Sequence, residues 1–354
     1  MEILLEELYK TDLHAERYQP RKLTIPQTSC HIMGITNSGK STLVKNYLLA
    51  RKKNTYLYID AHDIRLETLL LNQYLENFCK KNSIEILVID NYDPAILLPN
   101  IPQIITISQL PSPHKHIPTL QLFPLDYEEF LAFEYKYDST ALKNFFVLGG
   151  FTSMHTLQQD QRVLTIQRIL RCSLHDIEFA LLVLCAKFNS QKISPFNLYE
   201  RLKQTRKISK DKTYRYFQTL QTKGYIHLVE KFDHAKAVKK VYLCDTFIKS
   251  ALSTEKHFGR MFENIVFLEL LKNNIKCYYS DDIDFYIPSN NEIILCKPFA
   301  DERRLFKKLE MIEAFLFTHS IEKITVITMN KEGSITHPLS KVAIIPFDIW
   351  ALGD

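Results

Sequence analysis

Two hydrophobic periods alternate along the first part of the chain. Short apolar runs at 30–33, 55–59, 84–89 and 103–107 have the length and β-branched content of buried strands. Between them, 41–51 and 64–80 space apolar residues three and four apart, the period of a half-buried helix. Such alternation predicts a parallel sheet covered by helices, an α/β fold. A short helix at 2–10 and a polar approach ending at Pro26 lead into it.

Beyond residue 108 the pattern changes. Pro111, Pro113 and Pro118 mark a loop, and an acidic helix follows at 126–137, with Asp126 as N-cap and Glu129 three residues on. After a helix at 140–148, Gly149-Gly150 reads as a hinge-like break. Helices are then expected at 174–188, at 195–203 behind Ser194-Pro195, and at 210–223 between Ser209 and Gly224. Strands at 225–229 and 241–244 flank a basic loop. Three helices and a two-stranded wing make the winged-helix plan. The remainder, a helix at 258–271, strands at 276–280, 284–287 and 292–297, a helix at 301–317 and a strand at 324–328, forms another α/β unit. The expected domains are a lead-in at 1–25, an α/β domain at 26–165, a winged helix at 166–250 and a last domain at 251–354.

Charge sharpens this division. Residues 187–245 hold 14 Lys and Arg against 5 Asp and Glu, a balance of +9 within a chain of net +5. A basic winged helix can neutralise phosphates: Lys210, Lys212 and Arg215 on the last helix, Lys239 and Lys240 at the wing. A solvated, protein-docking surface is the competing reading. The seven cysteines are scattered without a C-x-x-C pair, which predicts reduced thiols and no disulfide framework or zinc site. His114 and His116 read as a solvated loop. The acidic N-terminus has no signal-peptide core, and the longest apolar run, 179–186, is too short to cross a bilayer. A cytoplasmic protein without a membrane partner is expected.

The sharpest chemistry lies at Gly34-Ile35-Thr36-Asn37-Ser38-Gly39-Lys40-Ser41, followed by Thr42. This fits G-x-x-x-x-G-K-[S/T], the loop whose backbone N–H groups cradle a phosphate chain. It stands between a predicted strand and a predicted helix, as that chemistry requires. Lys40 would reach the terminal phosphates and Ser41 would help hold Mg²⁺. Asp90 ends an apolar strand where a carboxylate could bind Mg²⁺-coordinated water. Thr106 and Ser108 end the next strand, where a polar group can sense the terminal phosphate; capping the strand end is the plainer reading.

In order and spacing, these segments resemble a large group of bacterial AAA-superfamily ATP-binding proteins of unknown function. Those proteins join a P-loop domain, a winged helix and a C-terminal restriction-endonuclease-like domain. The carriers are 34–43, 86–91, the stretch FPLDYEEFLAFE at 123–134, LGGF at 148–151, KVYLCD at 240–245, 259–270 and 282–287. The resemblance implies ATP as the nucleotide and Mg²⁺ as its metal. It also marks departures. Asn91 replaces the Glu that follows the metal-binding Asp, so the general base is missing; Asp60, Asp63 or Asp93 are substitutes by position. No arginine occurs between Leu110 and Leu120 to meet phosphate charge. In the last domain, Glu263, Asp284 and Lys297 match three of four endonuclease-type positions, and Leu295 stands at the fourth.

The leading expectation is an ATP-binding protein with weak or absent hydrolysis, whose nucleotide state controls the basic winged helix. Alternatives are a DNA-associated module holding structural ATP, with double-stranded DNA or another protein as partner, and a metal-dependent nuclease. Ring-type oligomers are common in the resembled group, although the missing arginine removes the usual reason for a shared site.

Overall fold

The computed structural model describes all residues except 15–18, 136, 138 and 354. The chain divides into two compact units, Met1–Pro124 and Leu125–Asp354. Residues 125–165, grouped on sequence with the phosphate-loop domain, therefore fall in the second unit.

The first unit begins with α1 (Glu2–Lys10). It continues through β1 (Cys30–Met33), α2 (Lys40–Leu49), β2 (Tyr56–Asp60), α3 (Thr68–Lys81), β3 (Ile86–Asp90), β4 (Gln103–Ser108) and β5 (Thr119–Gln121). All sheet pairings are parallel, in the order β2-β3-β4-β1-β5. Strand side chains alternate between faces, and both faces are buried. Cys30, Ile32, Tyr56, Ile86, Val88, Ile105 and Ile107 pack with Leu43, Val44 and Leu48 of α2. Leu57, Ile59, Leu87 and Ile89 point the other way and pack with Leu71, Leu75 and Phe78 of α3 and Leu5 of α1. With the loop between β1 and α2, this is the parallel sheet of a P-loop NTPase fold.

The second unit opens with α4 (Tyr127–Glu134), whose Asp126–Glu129 capping box is formed in both directions. The helix expected to run to 137 ends earlier, because Tyr135 turns left-handed at φ 54°; Lys136 lies outside the described residues. Next come α5 (Ser139–Leu148), α6 (Ser153–Thr156), α7 (Gln159–Ser173), α8 (Asp176–Lys187), β6 (Gln191–Lys192), α9 (Pro195–Leu202), α10 (Lys210–Thr222), β7 (Ile226–Val229) and β8 (Lys240–Leu243). Ser194 and Ser209 cap α9 and α10 through their hydroxyls. The strands form a three-stranded antiparallel sheet, β6-β8-β7.

The chain then runs through α11 (Thr246–Leu252), α12 (Phe258–Lys272), β9 (Tyr278–Ser280), β10 (Ile283–Ile287), β11 (Glu292–Cys296), α13 (Glu302–Thr318), β12 (Lys323–Thr328), β13 (Gly333–Thr336), β14 (Lys341–Pro346) and α14 (Phe347–Leu352). A six-stranded mixed sheet of order β13-β14-β12-β11-β10-β9 results.

The stretches that carried the sequence resemblance meet in this unit as a scaffold. Asp245 is buried, and its carboxylate accepts from the backbone N–H groups of Gly150 (2.6 Å) and Phe247 (2.7 Å). Gly149 has φ +64°, and a Cβ there would lie 2.1 Å from Asp245 Oδ1, so glycine is required twice over. Glu269 of α12 accepts from Tyr127 N at 3.1 Å, and Lys272 Nζ donates to Leu125 O at 2.8 Å. Asn264 pairs through both amide atoms with the backbone of Leu243.

Candidate functional site

The loop between β1 and α2 is shaped by its two glycines. A Cβ on Gly34 would strike Leu122 O at 2.4 Å, and Gly39 is left-handed at φ +92°. Asn37 is also left-handed (φ 69°), a conformation Asn tolerates better than most residues. These turns lead into the N-terminus of α2, where backbone N–H groups favour an anion.

Lys40 reaches back across the loop, donating to Gly34 O (2.9 Å) and Ile35 O (2.8 Å). Burial pushes its ammonium down to about 8, opposed by the negative charge of Asp90. The Ser38 hydroxyl is buried and has no hydrogen-bond partner among the described residues. A desolvated lysine and an orphaned hydroxyl in a loop that excludes side chains fit a phosphate chain.

Asp90 lies at the end of β3, buried, accepting from Asn91 N (2.9 Å) and from the Tyr58 hydroxyl (2.5 Å). Burial and the Asp90 charge strongly disfavour ionisation of that phenol. Tyr58 therefore orients the carboxylate expected to meet Mg²⁺-bound water. Ser41 and Asp90 offer the hard oxygen donors that cation takes. Sequence reasoning missed Tyr58. Strand parity is the signal that finds it: Tyr58 and Val88 are register partners, as are Asp60 and Asp90, so all four share the α2 face.

The same parity places Thr106 elsewhere. Ile105 and Ile107 face α2, so Thr106 points to the opposite side, fully buried, with its hydroxyl 2.8 Å from His31 Nδ1. Ser108 has the same parity and bonds Leu110 O at 2.8 Å. Gln109, one residue beyond the strand, is the group that reaches the loop: its amide donates to Thr36 Oγ1 at 2.6 Å. Of the substitute acids, Asp63 is clamped by Arg65 and held near 2, and Asp93 caps Ala95 N. Asp60 accepts from Asn91 Nδ2 at 2.8 Å and stands beside Asp90 in register. An arginine does approach the loop, but from the lead-in. Arg21 donates to Ser38 O (3.1 Å) and to Phe123 O (2.8 Å), bracing the loop through its carbonyls.

In the second unit the structure brings Glu263, Asp284 and Lys297 into one half-buried cluster, with an addition. Lys240 Nζ lies 2.8 Å from Glu263 Oε1, and the Tyr242 hydroxyl donates to the same oxygen at 2.6 Å. Lys297 Nζ lies 3.1 Å from Asp284 Oδ2. Burial and the Asp284 charge raise the Glu263 carboxyl, while Lys240 opposes them. Two ammonium groups thus meet two carboxylates, and Leu295 is fully buried on the neighbouring strand. Among the described residues no group of three or more His, Cys, Asp or Glu side chains is arranged to hold a metal ion. Lys240, expected on sequence to face DNA, is instead turned inward, with 13% of its side chain exposed. Lys239 is paired with Glu230 at 2.6 Å. Lys210, Lys212 and Arg215 are exposed, as expected. His114 is held by the Tyr92 hydroxyl at 2.7 Å. The described cysteines are free thiols, buried except for exposed Cys172 and half-buried Cys277.

No family model matches the chain. An uncharacterized protein of Methanocaldococcus jannaschii is 24% identical over an alignment of 394 positions, gaps included, covering 93% of this chain and 89% of its own length. Among solved structures, a Walker-type ATPase of Pyrococcus abyssi aligns with TM-score 0.41 and 14% identity, over 63% of this chain and 90% of that one. The Aeropyrum pernix Orc1 protein, determined in complex with DNA, gives 0.30 and 12%, over 64% and 87%. Cdc6p from Pyrobaculum aerophilum gives 0.26 and 12%, over 67% and 87%. Scores this low transfer no activity, and the fold assignment stands on the sheet order and the loop geometry. The resembled group was bacterial, whereas these relatives are archaeal. Among the described residues no helix is long and apolar enough to cross a membrane.

Proposed function

We propose that the first unit binds ATP with Mg²⁺ in the manner of AAA-like P-loop proteins and hydrolyses it slowly or not at all. The observation that carries this reading is the constellation of Lys40, Ser41, Tyr58 and Asp90 at the end of a parallel sheet. Lys40 and the loop N–H groups hold the phosphates; Ser41 and Asp90 hold the metal, Asp90 through its water. Bound Mg²⁺ would neutralise phosphate charge. Asn91 cannot accept a proton, and Arg21 is committed to carbonyls, so the two usual accelerants of hydrolysis are lacking. Turnover on the order of 10⁻³ s⁻¹ or below is expected, the range of P-loop hydrolases without a catalytic arginine. Steady-state phosphate release that depends on Lys40 and exceeds roughly 1 s⁻¹ would contradict it.

Nucleotide state is read out where the chain leaves the first unit. Gly34 packs on Leu122 O, and Arg21 joins the loop to Phe123 O. A phosphate that reshapes the loop thereby acts on the residues just before Leu125, where the unit bearing the basic winged-helix-like segment begins. A second reading, association with nucleic acid, is favoured by the exposed Lys and Arg side chains of α9 and α10. Its affinity for a polynucleotide should fall steeply with salt. A nuclease reading is disfavoured, because Lys240 and Lys297 neutralise the carboxylates that would bind metal.

A further inference from the structure

Between Arg201 and Arg215 stand seven Lys and Arg residues against one acid, Asp211, and all seven are exposed. Aromatic rings emerge in the same field. Phe196 is 47% and Tyr214 39% exposed, although α9 and α10 bury Leu198, Leu202, Phe217 and Leu220 on their inner faces. The Lys210 ammonium lies 5.4 Å from the Phe196 ring and 5.6 Å from the Tyr214 ring. Tyr199 lies 6.2 Å from Phe196, with the Lys203 ammonium 5.3 Å from its own ring. Aromatic rings and cations thus alternate on the outer side of the two helices, where the core has no use for them.

We infer that this face binds single-stranded nucleic acid. Unpaired bases stack on Phe196 and Tyr214, whose π-faces accept any base, while Lys210 and its basic neighbours neutralise the backbone, Lys203 being paired with Glu200 at 2.7 Å. A duplex would hide its base faces and set these rings against sugar and phosphate. Three lysines of the neighbouring hairpin, which a duplex clamp would need, are committed elsewhere: Lys231 to Asp281, Lys239 to Glu230 and Lys240 to Glu263. This inference rests on the nucleic-acid reading above and not on the ATP site.

The test is fluorescence anisotropy with the full chain, titrated into labelled oligo-dT and oligo-U of about 16 nucleotides and a duplex of equal length, at low and moderate salt. At least one single strand should bind about tenfold more tightly than the duplex. The double variant Phe196→Ala/Tyr214→Ala should lose about tenfold or more with the salt slope unchanged. Phe196→Trp, which keeps a stacking face, should retain binding. Lys210→Ala should reduce the salt slope by about one. Duplex bound as tightly as either single strand overturns the inference while leaving the nucleic-acid reading intact. Absence of all binding at low salt removes both. Unchanged affinity in the double aromatic variant also overturns it.

Discussion

At the scale of single residues, Lys40 carries a conflict between burial and charge. Its ammonium is pushed down to about 8 in the free protein, against an ordinary value of 10.5. A bound phosphate chain stabilises the charged form, so binding raises that value and favours the protonated lysine. ATP affinity should therefore hold steady below pH 8 and fall as pH rises above it; Lys40→Arg, which does not titrate, should flatten the profile. Binding isotherms between pH 7 and 9.5 decide this, and a wild-type profile as flat as that of Lys40→Arg would count against it. Tyr58 makes a second residue-scale prediction. Removing its hydroxyl from Asp90 in Tyr58→Phe should raise the Mg²⁺ concentration needed to support ATP binding by about tenfold or more, the usual effect of losing a group that orients a metal ligand. Unchanged Mg²⁺ titrations would show that the phenol serves packing only.

At the scale of elements, Lys240 on β8 and Glu263 on α12 tie a strand to a helix through one ion pair. Their ion pair is nearly buried, and breaking one member leaves the other uncompensated. Lys240→Met should cost about 3–5 kcal/mol of stability, and Lys240→Met/Glu263→Gln should recover much of it. Denaturant melts of the three proteins test this; an additive double variant would deny the coupling. Most elements were legible in the sequence because they carry a clear period or cap: β1, α1, the capping box of α4, and the Ser209–Gly224 limits of α10. The failures have physical causes. β5 is three residues with no apolar run, read as part of a proline loop, and exists because it adds to β1. β13 has a single buried position, Ile335, and α7 is mostly polar, with Ile166 and Leu170 as its buried residues. In the site, the phosphate loop was legible because its chemistry is local. Thr106 was misplaced because a strand end alone does not reveal parity; counting back from Ile105 and Ile107 does. The Lys240–Glu263 contact joins residues 23 positions apart, and nothing in their spacing announces it. Two of the stretches that carried the resemblance, LGGF and KVYLCD, are joined by the hydrogen bond from Gly150 N to Asp245.

At the scale of the whole molecule, two units are joined at Pro124, and the loop that would hold phosphate is braced to the residues just before the join. If nucleotide reshapes that loop, MgATP should slow amide exchange at Leu122, whose N–H donates to Met33 O at 2.8 Å, as well as at the loop itself. Arg21→Ala should weaken the effect at Leu122 more than at the loop. Hydrogen exchange with and without MgATP separates these outcomes, and protection confined to the loop would mean the brace transmits nothing. Each of these expectations depends on nucleotide occupying the first unit. The measurement that tests this most directly is a calorimetric titration of the full chain with MgATP, beside Lys40→Ala. Saturable binding at one site, weakened about tenfold or more in the variant as expected for loss of a charge-assisted phosphate contact, is the predicted result. Equal affinity in the two proteins, or no heat from either, would contradict the assignment of this loop as a nucleotide site.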